Sequence, residues 1–215
     1  MFPISVRIKL LLPVIILISL TVSFFSYAKP TGEALYQQCV ACHGVKGEGL
    51  PALNAPAIAG QDTAYLSRQL LNFSSGIRDK SEQAKSMALI AKALTKAEVD
   101  ELARYLQAMA VTQIDSSNSI TGSLKNGARY YQAKCGACHG GQAQGNAVFN
   151  APRLANQNSQ YLLQQMRDFV VGDRGYAQGD KYGRQMAMMA NTTKGQELTD
   201  ILFYIAKQSS EHKVK

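Results

Sequence analysis

The chain has 215 residues, with 23 Lys/Arg against 15 Asp/Glu, four Cys, three His and no Trp. The excess of base lies in one half: residues 29–115 carry nine basic and nine acidic side chains, residues 116–215 twelve and six, giving formal charges of 0 and +6. Those cations are scattered, without Lys/Arg runs or interleaved aromatics, which argues against a nucleic-acid partner and for a solvated or docking face.

In chain order, residues 1–28 open with Arg7 and Lys9, pass through the apolar LLLPVIILISLTVSFF and close with SYA at Ala28, the layout of an export signal. Because that apolar stretch is long for a signal core, an uncleaved membrane anchor is the rival reading, although the roughly 20 clean apolar residues of a spanning helix are missing. Under either reading residues 29–215 lie outside the cytoplasm. A first helix is expected over Gly32–Cys39, leading into Cys39-Val40-Ala41-Cys42-His43 and a Gly/Ala/Asn-rich loop over 44–61. The run DTAYLSRQLLNF has Asp62 as N-cap, apolar Tyr65, Leu66, Leu70 and Phe73, and Gly76 as a stop. A further helix starts at Thr95, where Thr95 and Glu98 make a capping box and Val99, Leu102, Ala103 and Leu106 line one face. VTQIDSSNSITGS, residues 111–123, reads as a linker. Beyond it the order repeats: a helix over Gly127–Cys135, Cys135-x-x-Cys138-His139, and a last helix from a Thr193/Gln196 cap to Ala206 with Leu198, Ile201, Leu202 and Ile205 as its stripe. No strand alternation appears.

The repetition is a tandem duplication. At an offset of 96, Cys39, Cys42, His43, Gly49 and Asn54-Ala55-Pro56 match Cys135, Cys138, His139, Gly145 and Asn150-Ala151-Pro152. Gln61, Tyr65, Leu66, Gln69, Phe73, Gly76 and Arg78 match Gln157, Tyr161, Leu162, Gln165, Phe169, Gly172 and Arg174. The offset then becomes 99, pairing Met87 with Met186 and Tyr105 with Tyr204, so the second copy holds three extra residues within GDRGYAQGDKYGRQM. The reading is a signal over 1–28, a first domain over 29–112, a linker over 113–123 and a second domain over 124–215.

Domains of about 90 residues with a few short helices and no Trp have little apolar side chain to bury, so something else must fill the core. The Cys-x-x-Cys-His motif supplies it: two thiols three positions apart can each add to a haem vinyl group, and the adjacent His places an imidazole under the iron. A shared zinc site would need the Cys pairs closer in sequence than Cys42 and Cys135 are. A thioredoxin-like pair needs a βαβ setting, and plain disulfides do not require His after the second Cys in both copies. Two covalent haem c groups are therefore expected.

The motifs CVACHG, CGACHG, NAP and YGRQMAMMA resemble those of the cytochrome c family, and specifically its two-domain dihaem members of the c-four (c4) type. The likeness covers essentially the whole chain after residue 28, and it implies an all-α fold of two tandem class-I cytochrome c-like domains. The first Met loop, SEQAKSMALIAKAL, departs from the family pattern more than the second. Pro56 and Pro152 stiffen their loops; the resemblance adds that a proline carbonyl near this position accepts the proximal imidazole N–H and raises its donor strength. Tyr65, Tyr161, Arg78 and Arg174 also recur, as supports for haem propionates or packing at the ring edge, with helix packing and solvated charge as the rival reading.

Counting bears on the sixth iron ligand. His43 and His139 belong to the motifs and His212 is in the tail, so one spare His cannot complete two irons, whereas thioether is the other common donor. Met87 is preferred over Met109, and repeat alignment selects Met186 over Met189. Filled coordination implies electron transfer rather than catalysis, and the resemblance implies a membrane quinol-oxidising donor complex and a terminal oxidase as acceptor, in the periplasm, with peripheral membrane association as an added expectation. The alternatives are a cytochrome subunit of a larger membrane oxidoreductase, or a dihaem peroxidase or gas sensor with one open iron. Lys181 and Arg184, flanking the second Met, are expected to form the docking face for an acidic partner.

Overall fold

In the computed structural model, residues 29–113 and 120–211 are described, so the signal reading and His212 lie outside the described residues. The first half holds α1 (Gly32–Tyr36), α2 (Val40–His43), α3 (Thr63–Ser74), α4 (Glu82–Lys92) and α5 (Lys96–Ala108). The second repeats them as α6 (Leu124–Lys134), α7 (Gly136–His139), α8 (Ser159–Val171), α9 (Lys181–Asn191) and α10 (Gly195–Glu211). Among the described residues extended pairing is confined to two isolated bridges, Leu50 with Ala55 and Asn146 with Ala151. The fold is all-α. No described helix is long and apolar enough to cross a membrane.

The caps follow the sequence. Asp62 accepts from the Tyr65 N–H at 2.8 Å, and its counterpart Asn158 accepts from Gln160 and Tyr161. Thr95 and Glu98 form both bonds of the capping box, and Val99, Leu102, Ala103 and Leu106 are all buried. The second copy departs here. α10 begins at Gly195, so Thr193 and Gln196 form no capping box, and the Gln196 amide donates to Asp200 instead. At the 99-residue offset the residue matching Thr95 is Lys194, which has no acceptor for that role.

Both methionine segments are helices rather than loops. Each begins on a side-chain cap, Ser81 to Ala84 N–H and Asp180 to Gly183 N–H, and each turns a stripe of small residues inward: Ala84, Ala88 and Ala91 on α4, Gly183, Ala187 and Ala190 on α9. The first and last helices of each half cross closely. A Cβ on Gly32 would sit 2.3 Å from the Tyr105 Cβ, and one on Gly127 would sit 2.0 Å from the Asp200 backbone oxygen, so glycine alone fits either crossing.

The halves meet through pseudo-twofold contacts. Gln61 and Gln157, equivalent in the repeat, each hydrogen-bond backbone of the opposite half. Arg78 donates to Gln69 at 2.7 Å and to Gln165 at 2.6 Å, and Arg174 donates to Gln165 at 2.8 Å and to Gln69 at 3.1 Å. The two arginines thus lie in a buried layer between the halves, with each guanidinium over its own phenylalanine, Phe73 or Phe169.

Candidate haem sites

Each motif is built on a single helical turn. The Cys42 and His43 amides donate to the Cys39 carbonyl at 3.1 and 2.8 Å, which brings residues 39, 42 and 43 to neighbouring positions of one turn. In the second copy Cys138 and His139 donate to the Cys135 carbonyl at 3.2 and 2.9 Å. The loop returns under each histidine: Gly49 N–H donates to the His43 carbonyl and Gly145 N–H to that of His139, both at 2.8 Å. Gly49 takes φ of +83°, and a Cβ there would meet the Ala57 amide nitrogen at 2.6 Å, so the turn requires glycine.

The imidazoles are buried, 6% and 5% exposed. His43 Nδ1 lies 2.9 Å from the Pro56 carbonyl oxygen and His139 Nδ1 lies 2.9 Å from that of Pro152. A carbonyl only accepts, so Nδ1 carries the proton and Nε2 keeps its lone pair. Burial holds both histidines below their ordinary pKa, and the proline carbonyls oppose that shift. Neutral imidazole with a fixed tautomer is the form that binds a metal.

The thiols complete the set. None of the four cysteines is disulfide-bonded; Cys39 and Cys135 are half-buried, Cys42 and Cys138 exposed. Burial pushes the Cys39 and Cys135 thiols up to about 11; Cys42 adds to this at Cys39, whereas at Cys135 the Lys134 ammonium opposes it and Glu197 and then Cys138 add to it. Among the described residues no three His, Cys, Asp or Glu side chains gather to hold a metal ion, so the two Cys pairs do not pool into one cluster.

Met87 and Met186 each stand sixth in an 11-residue helix, half-buried. Met87 packs against the core that includes Ala84 and Ala88, and Met186 against Phe169, Ala187 and Ala190. Met189 is half-buried, Met188 is 61% exposed, and Met109 caps the end of α5. Large apolar side chains stand exposed at matched points of the two copies, Leu53 with Phe149 and Leu89 with Met188. Paired thiols, an imidazole with a free Nε2, a half-buried thioether and uncovered apolar surface are a donor set that fits a covalent haem in each half.

Those features agree with the sequence comparisons. The sequence model of the family described as "Cytochrome c" matches twice, over residues 30–110 and 124–209. The chain belongs to the cytochrome c family. Among its relatives, the "Thiosulfate dehydrogenase electron acceptor" of Stutzerimonas stutzeri is 30% identical over 177 residues, covering 74% of this chain and 80% of that protein. The cytochrome c4 of Pseudomonas aeruginosa is 30% identical over 148 residues, 66% of this chain and 71% of that protein. The solved Acidithiobacillus ferrooxidans cytochrome c4 superposes with a TM-score of 0.64 at 27% identity, covering 79% of this chain and 98% of its own. The chain is thus a c4-like dihaem electron-transfer protein whose cofactors are two covalent haem c groups.

One pair of residues near the haem motifs escaped the sequence reading. Tyr36 donates its hydroxyl to the Gly44 carbonyl, and Tyr131 donates to that of Gly140 at 2.7 Å, bracing the residue after each motif histidine. Both tyrosines are buried. Their separation is 95 residues rather than 96, so they fall out of the repeat register that exposed the other pairs.

Proposed function

We propose that this cytochrome is an exported electron carrier in which His43 and Met87 hold the first iron and His139 and Met186 the second. Cys39 and Cys42 carry the first haem as thioethers, and Cys135 and Cys138 the second. Haem supplies a one-electron couple; the chain's residues bind it, fix the imidazole tautomer through Pro56 and Pro152, and exclude water. The observation that carries this reading is the duplicated one-turn motif, with Nδ1 held at 2.9 Å from a proline carbonyl in both copies. The domains run over 29–112 and 124–215 around a 113–123 linker, and residues 1–28 direct export to the periplasm.

Held by a histidine and a methionine in each half, the iron would keep its ligands in either oxidation state and would offer a substrate no coordination site, so the chain would carry electrons and not act as an enzyme. Arg78 and Arg174, buried without a carboxylate among their hydrogen-bond partners, supply positive charge for haem propionates. The donor is a membrane quinol-oxidising complex and the acceptor a terminal oxidase. The relative named a thiosulfate dehydrogenase electron acceptor favours a second donor class, a dehydrogenase of a reduced sulfur compound. The optical spectrum of the ferric holoprotein tests the ligation: a methionine-sulfur charge-transfer band of two-haem intensity is expected, and high-spin features at either haem would overturn it.

A further inference from the structure

Each proximal peptide is gripped from the other half. Pro56 O, which accepts His43 Nδ1–H, shares its peptide unit with the Ala57 N–H, and that N–H donates to Gln157 Oε1 at 2.9 Å. Gln157 Nε2 donates back to the Ala57 carbonyl at 2.9 Å. The second copy mirrors this. His139 Nδ1–H donates to Pro152 O, the Arg153 N–H of the same peptide donates to Gln61 Oε1 at 3.0 Å, and Gln61 Nε2 returns to the Arg153 carbonyl at 3.1 Å. Both glutamines are buried, 5% and 6% exposed, and each Oε1 also accepts the next residue's N–H, Asp62 or Asn158, at 3.0 Å. The amides are thereby fixed in orientation.

A peptide whose N–H is hydrogen-bonded has a more polarised carbonyl, so bonds at its two ends strengthen one another. A stronger acceptor at Nδ1 makes the imidazole a stronger donor at Nε2, which favours ferric iron. We propose that Gln157 tunes the haem of the first domain and Gln61 that of the second, a crossed arrangement in which each domain sets the electron affinity of its neighbour's haem. The inference rests on the His43 and His139 ligation given above. Gln61 and Gln157 are positioning residues: they act through a peptide and a histidine.

The test is a redox titration of the holoprotein in which each domain's haem resonances are followed separately by NMR. Gln157→Met should shift the ferric–ferrous equilibrium of the first haem about threefold towards ferrous, about 28 mV for one electron, and leave the second haem in place. Gln61→Met should do the converse, and the Nδ1–H of the histidine across the interface should exchange faster in the ferrous form. Gln157→Glu keeps an acceptor oxygen in the same volume and, ionised, should move the first haem in the opposite direction. Lys80→Ala, which removes a different contact between the halves, Lys80 Nζ to Gly172 O at 3.0 Å, should move neither. Equal shifts of both haems, a shift on the substituted side, or the same sign for Met and Glu would overturn the crossed arrangement and mark a loosened interface. Failure of the ligation itself would show separately, as a wild-type spectrum lacking the methionine-sulfur band.

Discussion

In the first half, twelve buried side chains from α1, α3, α4 and α5 make one apolar cluster, whereas the second half divides into a set around Tyr131, Leu162 and α10 and a smaller set of Phe169, Ala187 and Ala190. The division falls where Leu70 and Val99, buried in the first copy, are replaced by Met166 and Leu198, which are only half-buried. The same chain plan is therefore packed in two ways, as one cluster or as two sets that a bound haem would help to join. The largest expected effect tests that difference. Replacing Cys135 and Cys138 by Ser should lower the thermal midpoint of the second domain more than Cys39→Ser with Cys42→Ser lowers that of the first, because a ligand bound only by the folded state stabilises it. Limited proteolysis that reports cleavage by domain decides it. Equal losses would mean the divided core is no weaker.

The helix crossings give the next largest effect. Alanine has the better helix propensity by about 1 kcal/mol, but overpacking a closed contact costs about 3 kcal/mol. Gly127→Ala meets backbone at 2.0 Å, and Gly32→Ala meets a tyrosine Cβ, equally fixed by its own backbone, at the slightly longer 2.3 Å. Both should unfold their domain at lower denaturant, with Gly127→Ala the more damaging by about 1 kcal/mol. A reversed order would show that the second crossing is the looser one.

The halves were legible to different depths. The Thr95–Glu98 capping box, the α5 stripe and the offset repeat all express local rules, and they stand in the structure as the sequence implies. The methionine helices did not declare themselves, because their inward faces are alanine and glycine rather than the large apolar residues that periodicity detects. The Thr193 cap failed for want of one residue of register. Gln61 and Gln157 were visible as a repeated pair, but their partners lie 92 to 100 residues away, beyond any local pattern.

Acid should separate the halves further. Asp200 accepts from the Ser123 N–H at 2.9 Å and the Gln196 amide at 2.8 Å, and these bonds, Ser123 first, hold its carboxyl below the usual carboxylate range. At the matching position Glu101 pairs with Arg104 at the surface, and that pairing, the leading cause, lowers its value too. A depressed folded pKa means stabilisation present above the unfolded value, about 3.9 for Asp, and lost as pH falls through the folded one. Asp200→Asn should flatten the acid limb of the second domain's melting curve against pH. Glu101→Gln should change the first domain little, since an exposed ion pair contributes little.

The smallest expected effect concerns the charge contrast of 0 against +6. Lys181 and Arg184 are exposed on α9 and line a surface cleft of about 290 Å³ with Met188 and Gln185. In the first half Lys96 is paired with Asp100 at 2.6 Å, leaving less net cation to a partner. Reversing Lys181 and Arg184 should flatten the salt dependence of electron transfer with an acidic redox partner more than reversing Lys92 and Lys96, as measured by stopped flow across ionic strength. Equal slopes would remove the second domain's face from docking.

Potentiometry of Met87→His and Met186→His tests the paired sites most directly, because an imidazole in place of a thioether stabilises ferric iron at one haem without detaching it. Each variant should keep both haems and lower the potential of its own domain alone. A variant whose potential matches wild type would contradict the ligand assignment in that domain, and at Met186 it would pass the role to Met189.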